Sequence, residues 1–137
     1  MSEPILSARA LQQRFPARGA GFFNRDYIQA VDGVDFDIHE GETLAIVGES
    51  GSGKSSLARL LLALVQPTGG TVAYRGTPLA ALTRQQHRAY RRDVQAVFQD
   101  PSSSLNPRMR VQDSIGHVLR EHRVPHAGPP EAAIAAI

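Results

Sequence analysis

Residues 48 to 55 read Gly-Glu-Ser-Gly-Ser-Gly-Lys-Ser. This spacing, Gly-x-x-x-x-Gly-Lys-Ser, suits the holding of a polyphosphate. Glycine backbone bends so that successive N–H groups converge on one concavity, which suits an oxyanion. A helix that starts directly after the loop aims the positive end of its dipole at the same point. Lys54 adds a mobile cation for the β and γ phosphates, and Ser55 a hydroxyl for Mg2+. The plain alternative is a glycine-rich strand-to-helix turn carrying a surface lysine. Average residue usage puts a chance match in a chain of this length on the order of one in a few hundred. The use of lysine points the same way: of the 15 basic residues, 14 are arginine, and the single lysine is Lys54.

The flanking sequence predicts the elements such a loop needs. Residues 43 to 47, Thr-Leu-Ala-Ile-Val, form a short apolar run of the kind found in central parallel strands. After the loop, Leu57, Leu60, Leu61 and Leu64 share one face of a helix predicted over 54–64. Pro67-Thr68-Gly69-Gly70 closes it. Upstream, residues 5 to 15 predict a strand that stops at Phe15-Pro16, and glycine-rich 17–27 a loop. Residues 30 to 38 alternate Val31, Val34, Phe36 and Ile38 with Asp32, Asp35 and Asp37, slipping once at Gly33. That pattern predicts a half-buried antiparallel strand with a bulge. Glu40-Gly41-Glu42 reads as a turn, Thr71–Arg75 as a strand, Gly76-Thr77-Pro78 as a turn, and 83–92 as a polar, arginine-rich helix or turn. Val94–Phe98 is a buried-type strand, 111–120 a helix, 122–130 a linker and 131–137 the start of another helix.

Length and composition set bounds. The 137 residues suffice for one domain with a sizeable core. With no cysteine, disulfides and thiolate metal sites are excluded. The start carries no basic and apolar leader, so no secretory signal is expected. The longest apolar run, Leu60–Val65, falls far short of the ~20 residues of a membrane span, so a membrane role would go through a partner. The net charge of +2 is too mild to argue for nucleic acid.

A phosphate loop is shared by small kinases, GTPases, helicases and transporter ATPases, and the flanks choose among them. Ala30-Val31-Asp32-Gly33-Val34-Asp35-Phe36, the run Glu42 to Leu57, Val97-Phe98-Gln99-Asp100-Pro101 and Ser104-Leu105-Asn106-Pro107-Arg108 together resemble the ATP-binding subunits of ABC transporters, in particular the peptide and nickel import branch. The resemblance covers nearly all of residues 5 to 120. Arg75-Gly76-Thr77-Pro78-Leu79 and Arg91-Arg92-Asp93-Val94-Gln95 are similar to nickel-import subunits and leave nickel and peptide both open.

The resemblance implies an α/β P-loop NTPase fold of the ABC ATPase type with an N-terminal antiparallel β layer, cut within its helical subdomain. It implies three regions: 1–40 as the β layer with an adenine-side loop, 41–100 as the P-loop α/β core, and 101–137 as the start of the helical subdomain. It places Phe15 where an aromatic stacks on adenine, with Phe22, Phe23 and Tyr27 as competitors for that role. Gly48, Glu49, Ser50, Gly51, Ser52, Gly53 and Lys54 would wrap the phosphates of ATP. Ser55 would bind Mg2+, Ser56 would support the α phosphate, and Gln99 would reach the metal and the attacking water. Lys54 and Gln99 are thus the implied catalytic pair. The implied partners are a transmembrane permease and a second ATP-binding subunit, at the cytoplasmic face of the inner membrane.

Other residues invite plainer readings. Arg84, Arg88, Arg91 and Arg92 make a solvated helix face without the interleaved aromatics of a nucleic-acid platform. His39, His87, His117, His122 and His126 show no metal-ligand spacing, because Pro125 breaks the helix that would pair the last two. Asp32, Asp35 and Asp37 are the wet side of a strand. The family's catalytic carboxylate after an apolar strand, its Leu-Ser-Gly-Gly-Gln signature and its late histidine have no counterpart in the 137 residues. Two alternatives follow: a fragment that binds nucleotide or permease without hydrolysis, and a soluble P-loop kinase.

Overall fold

The computed structural model describes residues 3–17, 26–100 and 105–121. Phe22, Phe23, Pro101, Ser104, the 122–130 segment and the helix expected over 131–137 lie outside the described residues. The chain divides into two compact units, Met1–Arg91 and Arg92–Ile137.

In the first unit, strand β1 (Leu6–Pro16) buries Leu6, Ala8, Leu11 and Gln13, while Arg9 and Ala10 are exposed and Ser7 and Gln12 half-buried. It pairs antiparallel with β2 (Tyr27–Ile38), from Leu6 opposite Ile38 to Pro16 opposite Tyr27. The expected irregularity near Gly33 is present: Leu11 faces Val34 while Gln13 faces Val31, which leaves an extra residue on β2, and Gly33 has φ 61°. A second irregularity, in β1, falls at Ala10, whose φ is 45° and whose N–H donates to the Asp35 carboxylate at 2.9 Å.

On the other side of β1 lies β3 (Gly69–Tyr74), also antiparallel, followed by the short β4 (Thr77–Pro78). The sheet order is β2-β1-β3-β4, so the antiparallel layer draws on residues 69–78 as well as on the first forty. Arg75 and Gly76, φ 46° and 74°, form the left-handed pair of a tight hairpin turn.

Helix α1 (Lys54–Leu61) lays Leu57 and Leu60 into the core with Leu11, Val31, Val72, Leu79 and Tyr90. It is shorter than the leucine spacing predicts. Ala63 turns left-handed, φ 52°; its N–H reaches the Leu60 carbonyl at 3.1 Å and the Leu64 N–H reaches the Arg59 carbonyl at 3.0 Å. This pair of bonds is a Schellman ending, and it carries Leu64 off the helical face into solvent. A 3-10 turn at Leu79–Ala81 leads to helix α2 (Arg84–Asp93). A reciprocal cap starts α2: Thr83 N–H donates to Gln86 Oε1 at 2.9 Å, and Gln86 N–H to Thr83 Oγ1 at 3.3 Å. Its only buried residue is Tyr90, which meets the Tyr74 ring edge-on at 5.1 Å and donates its hydroxyl to the Leu61 carbonyl at the end of α1.

Two apolar runs differ from expectation. Residues 43–47 and 94–98 form no strand and lie in no ladder among the described residues, and Val47 and Val97 are 89 % and 99 % exposed. A parallel strand exists only through a neighbour that accepts its backbone hydrogen bonds. The four strands that do pair all belong to the antiparallel sheet.

The second unit contains helix α3 (Val111–Glu121), close to the predicted span, with Asp113 in its first turn and Arg120 in its last, both favourable to the helix dipole. Before it, the Asn106 side chain accepts the Arg108 N–H at 3.0 Å in a turn.

Candidate phosphate-binding site

The loop 48–53 is built by its glycines. Gly51 and Gly53 have φ 86° and 93°, a conformation a side chain strains. At Gly53 space forbids a side chain as well, because a Cβ there would overlap the Ala30 carbonyl oxygen of β2. At Gly48 a Cβ would come within 2.6 Å of Ser52 Oγ. The loop thus lies directly on β2 and opens into α1.

Gly53 caps α1 and has no side chain to satisfy its first amides. The first intrahelical bond runs from Leu57 N–H to the Gly53 carbonyl at 2.9 Å. The amides of Lys54, Ser55 and Ser56 therefore come before the helix's own ladder and sit at the positive end of its dipole. No acidic residue occupies that first turn. Lys54 folds back over the loop, its ammonium donating to the carbonyls of Gly48 at 2.8 Å and Glu49 at 2.6 Å, and to Ser52 Oγ at 3.3 Å. A cation, amide donors ahead of the helix's ladder, and a Gly53 backbone with no room for a side chain make a cradle that fits a phosphate chain.

Phe15 lies two residues beyond Gln13 on the inward-facing row of β1, half-buried, opposite Ile28. Ile28 is two residues along β2 from Ala30, where Gly53 touches the strand, a separation of about 7 Å. The sheet therefore brings Phe15 and the loop to one end of the first unit. Tyr27, its described competitor, is exposed opposite Pro16. Ser55 is exposed and Ser56 half-buried in the first turn of α1. Gln99 belongs to the second unit and is exposed.

The aspartates of β2 fill the wet face as expected. Asp37 takes a forked pair of bonds from Arg9 at 2.6 and 2.7 Å, Asp35 holds the Ala10 bulge, and Asp32 accepts from Gln29 at 3.0 Å. Among the described residues no group of histidine and carboxylate side chains could hold a metal. Two residues escaped the sequence reading. Gln13 is the buried polar side chain of β1, and its Oε1 has no hydrogen-bond partner among the described residues. Tyr90, in an arginine-rich stretch, gave no signal beyond its lone aromatic ring.

The model of the ABC transporter family matches residues 31–135. The chain belongs to this family. The glutathione import ATP-binding protein GsiA of Escherichia coli is 48 % identical to this ABC chain over 122 residues, 88 % of the chain and 19 % of that relative. A probable peptide ABC transporter ATP-binding protein of Sinorhizobium fredii, y4tS, is 50 % identical over 123 residues, 88 % of the chain and 33 % of the relative. The chain thus spans a third or less of the length of these curated relatives. The dimeric ATP-binding cassette MJ0796, bound to ADP and phosphate, superposes with a TM-score of 0.74 over 96 % of this chain and 53 % of its own, at 24 % identity. The fold is therefore that of the ABC ATPase cassette, of which the chain spans about half. The kinase alternative is not favoured by this membership. Among the described residues no helix is long and apolar enough to cross a membrane.

Proposed function

We propose that this chain binds ATP in loop 48–55 as part of the ATP-binding subunit of an importer for peptides or a related small solute. The observation that carries the reading is the cradle itself: two left-handed glycines, one of them (Gly53) pressed on β2, the uncapped N-terminus of α1, and the Lys54 ammonium across the loop. Gly48 to Lys54 wrap the phosphates, Ser56 supports the α phosphate and Phe15 stacks on adenine. Ser55 would hold Mg2+, as the family resemblance implies, and the ion would supply neutralisation of phosphate charge; Gln99 would be a further ligand in the whole protein. Gln99 further orients the attacking water and couples the site to the permease. The region 1–40 serves as the adenine-side layer, 41–100 as the phosphate-binding core and 101–137 as the start of the helical subdomain. In the longer protein that the relatives' lengths suggest, two such subunits close on ATP, and hydrolysis resets a permease from the cytoplasmic face of the inner membrane. The similarity to GsiA, a glutathione import protein, and to y4tS, a probable peptide transporter subunit, supports the solute class.

Calorimetric titration of the chain with ATP and Mg2+ tests the site. Lys54→Ala removes a charged donor and is expected to weaken binding about 10- to 100-fold. Unchanged affinity would overturn the phosphate role of Lys54.

A further inference from the structure

The positive charge of this chain is concentrated on one helix. The ten residues of α2 hold four arginines and one aspartate, more net charge than the +2 of all 137 residues. At ~100° per residue, Arg84, Arg88 and Arg91 fall within an arc of roughly 60° on the side turned from the buried Tyr90. All three are exposed, and they form a stripe about 10 Å long.

The stripe works against its own helix. Arg84 and Arg88 are four residues apart and Arg88 and Arg91 three, spacings at which like charges repel. Arg84 also stands in the first turn, where the dipole disfavours a cation, and no acidic residue offsets it there. Negative charge on a docked surface would relieve the conflicts at Arg84 and Arg88.

We infer that the Arg84–Arg88–Arg91 face of α2 docks on anionic phospholipid headgroups. Guanidinium groups take phosphate oxygens in pairs, which suits a planar array of lipid phosphates. A single-stranded nucleic acid fits less well, because the one aromatic ring of α2, Tyr90, is buried and cannot stack on bases. The contact needs no nucleotide.

Co-sedimentation of the 137-residue chain with vesicles of phosphatidylglycerol and phosphatidylcholine tests this at about 0.1 M salt, where the screening length is near 10 Å. Each arginine at an anionic surface contributes about fivefold in partitioning, so the triple change Arg84→Gln, Arg88→Gln, Arg91→Gln is expected to lose about 100-fold. It should leave ATP affinity as it was, which separates this face from the nucleotide site. The triple change to lysine should keep most of the binding, and that variant decides the matter if the glutamine variant loses its helical signal. Equal binding by the glutamine and parent chains would overturn the inference. So would equal binding to pure phosphatidylcholine vesicles, or tighter binding of a single-stranded RNA oligonucleotide than of the anionic vesicles.

Discussion

Lys54 shows how a residue can be legible in sequence while its setting is not. Its place in the Gly-x-x-x-x-Gly-Lys-Ser spacing was readable, but its bonds to the Gly48 and Glu49 carbonyls follow from how the loop curls back. The contact of Gly53 with Ala30 was hidden for the same reason, since 23 positions separate two residues that share no local pattern. Tyr90 is the clearest case of a residue given meaning by packing alone. Burial, and after it the neighbouring Tyr74, pushes its hydroxyl from 10.0 up to about 12. The folded state favours the neutral phenol, so this contribution to stability is complete below pH 10 and is lost as pH rises from 10 to about 12. Urea unfolding across that range should show the decline. Tyr90→Phe should remove this component of the decline and cost about 1 kcal/mol at neutral pH through the lost bond to Leu61. An unaltered pH profile in the variant would refute the assignment.

At the scale of elements, short-range patterns were reliable where the physics is short-range. The alternation along β2 and the slip at Gly33 reflect side chains facing core and water in turn, and both are present. Residues 83–92, whose sequence left helix and turn both open, form a helix at Arg84–Asp93, with Thr83 and Gln86 capping it. The end of α1 was misplaced because four leucines at helical spacing do not reveal where the backbone reverses. That reversal uses Ala63 at φ 52°, where a Cβ costs roughly 1 kcal/mol. Ala63→Gly should therefore raise stability by about 0.5–1 kcal/mol, measured as a higher urea midpoint with an unchanged slope. A lower midpoint would mean that the Ala63 methyl contributes more by contact than it costs in strain. The runs 43–47 and 94–98 mark the limit of pattern reading: apolar composition encodes a preference for burial, but a ladder is a relation to another segment.

At the scale of the molecule, one unit carries the cradle. Sheet, α1 and α2 meet around Leu11, Val31, Leu57, Leu60 and Tyr90, and this core fixes both ends of α1. Gly53 against Ala30 sets the helix where the loop opens, and Tyr90 holds its far end. The family was legible because its phosphate-binding segment is continuous in sequence; the arginine face of α2 needed the helix to be seen. In the proposed site the loop between β2 and α1 binds phosphate through its backbone amides. The most direct test is an amide proton–nitrogen correlation spectrum of the chain, recorded as ATP and Mg2+ are added. Saturable shifts are expected at the amides of Gly51, Gly53, Lys54, Ser55 and Ser56. A titration that leaves those amides in place while ATP binds elsewhere would contradict it.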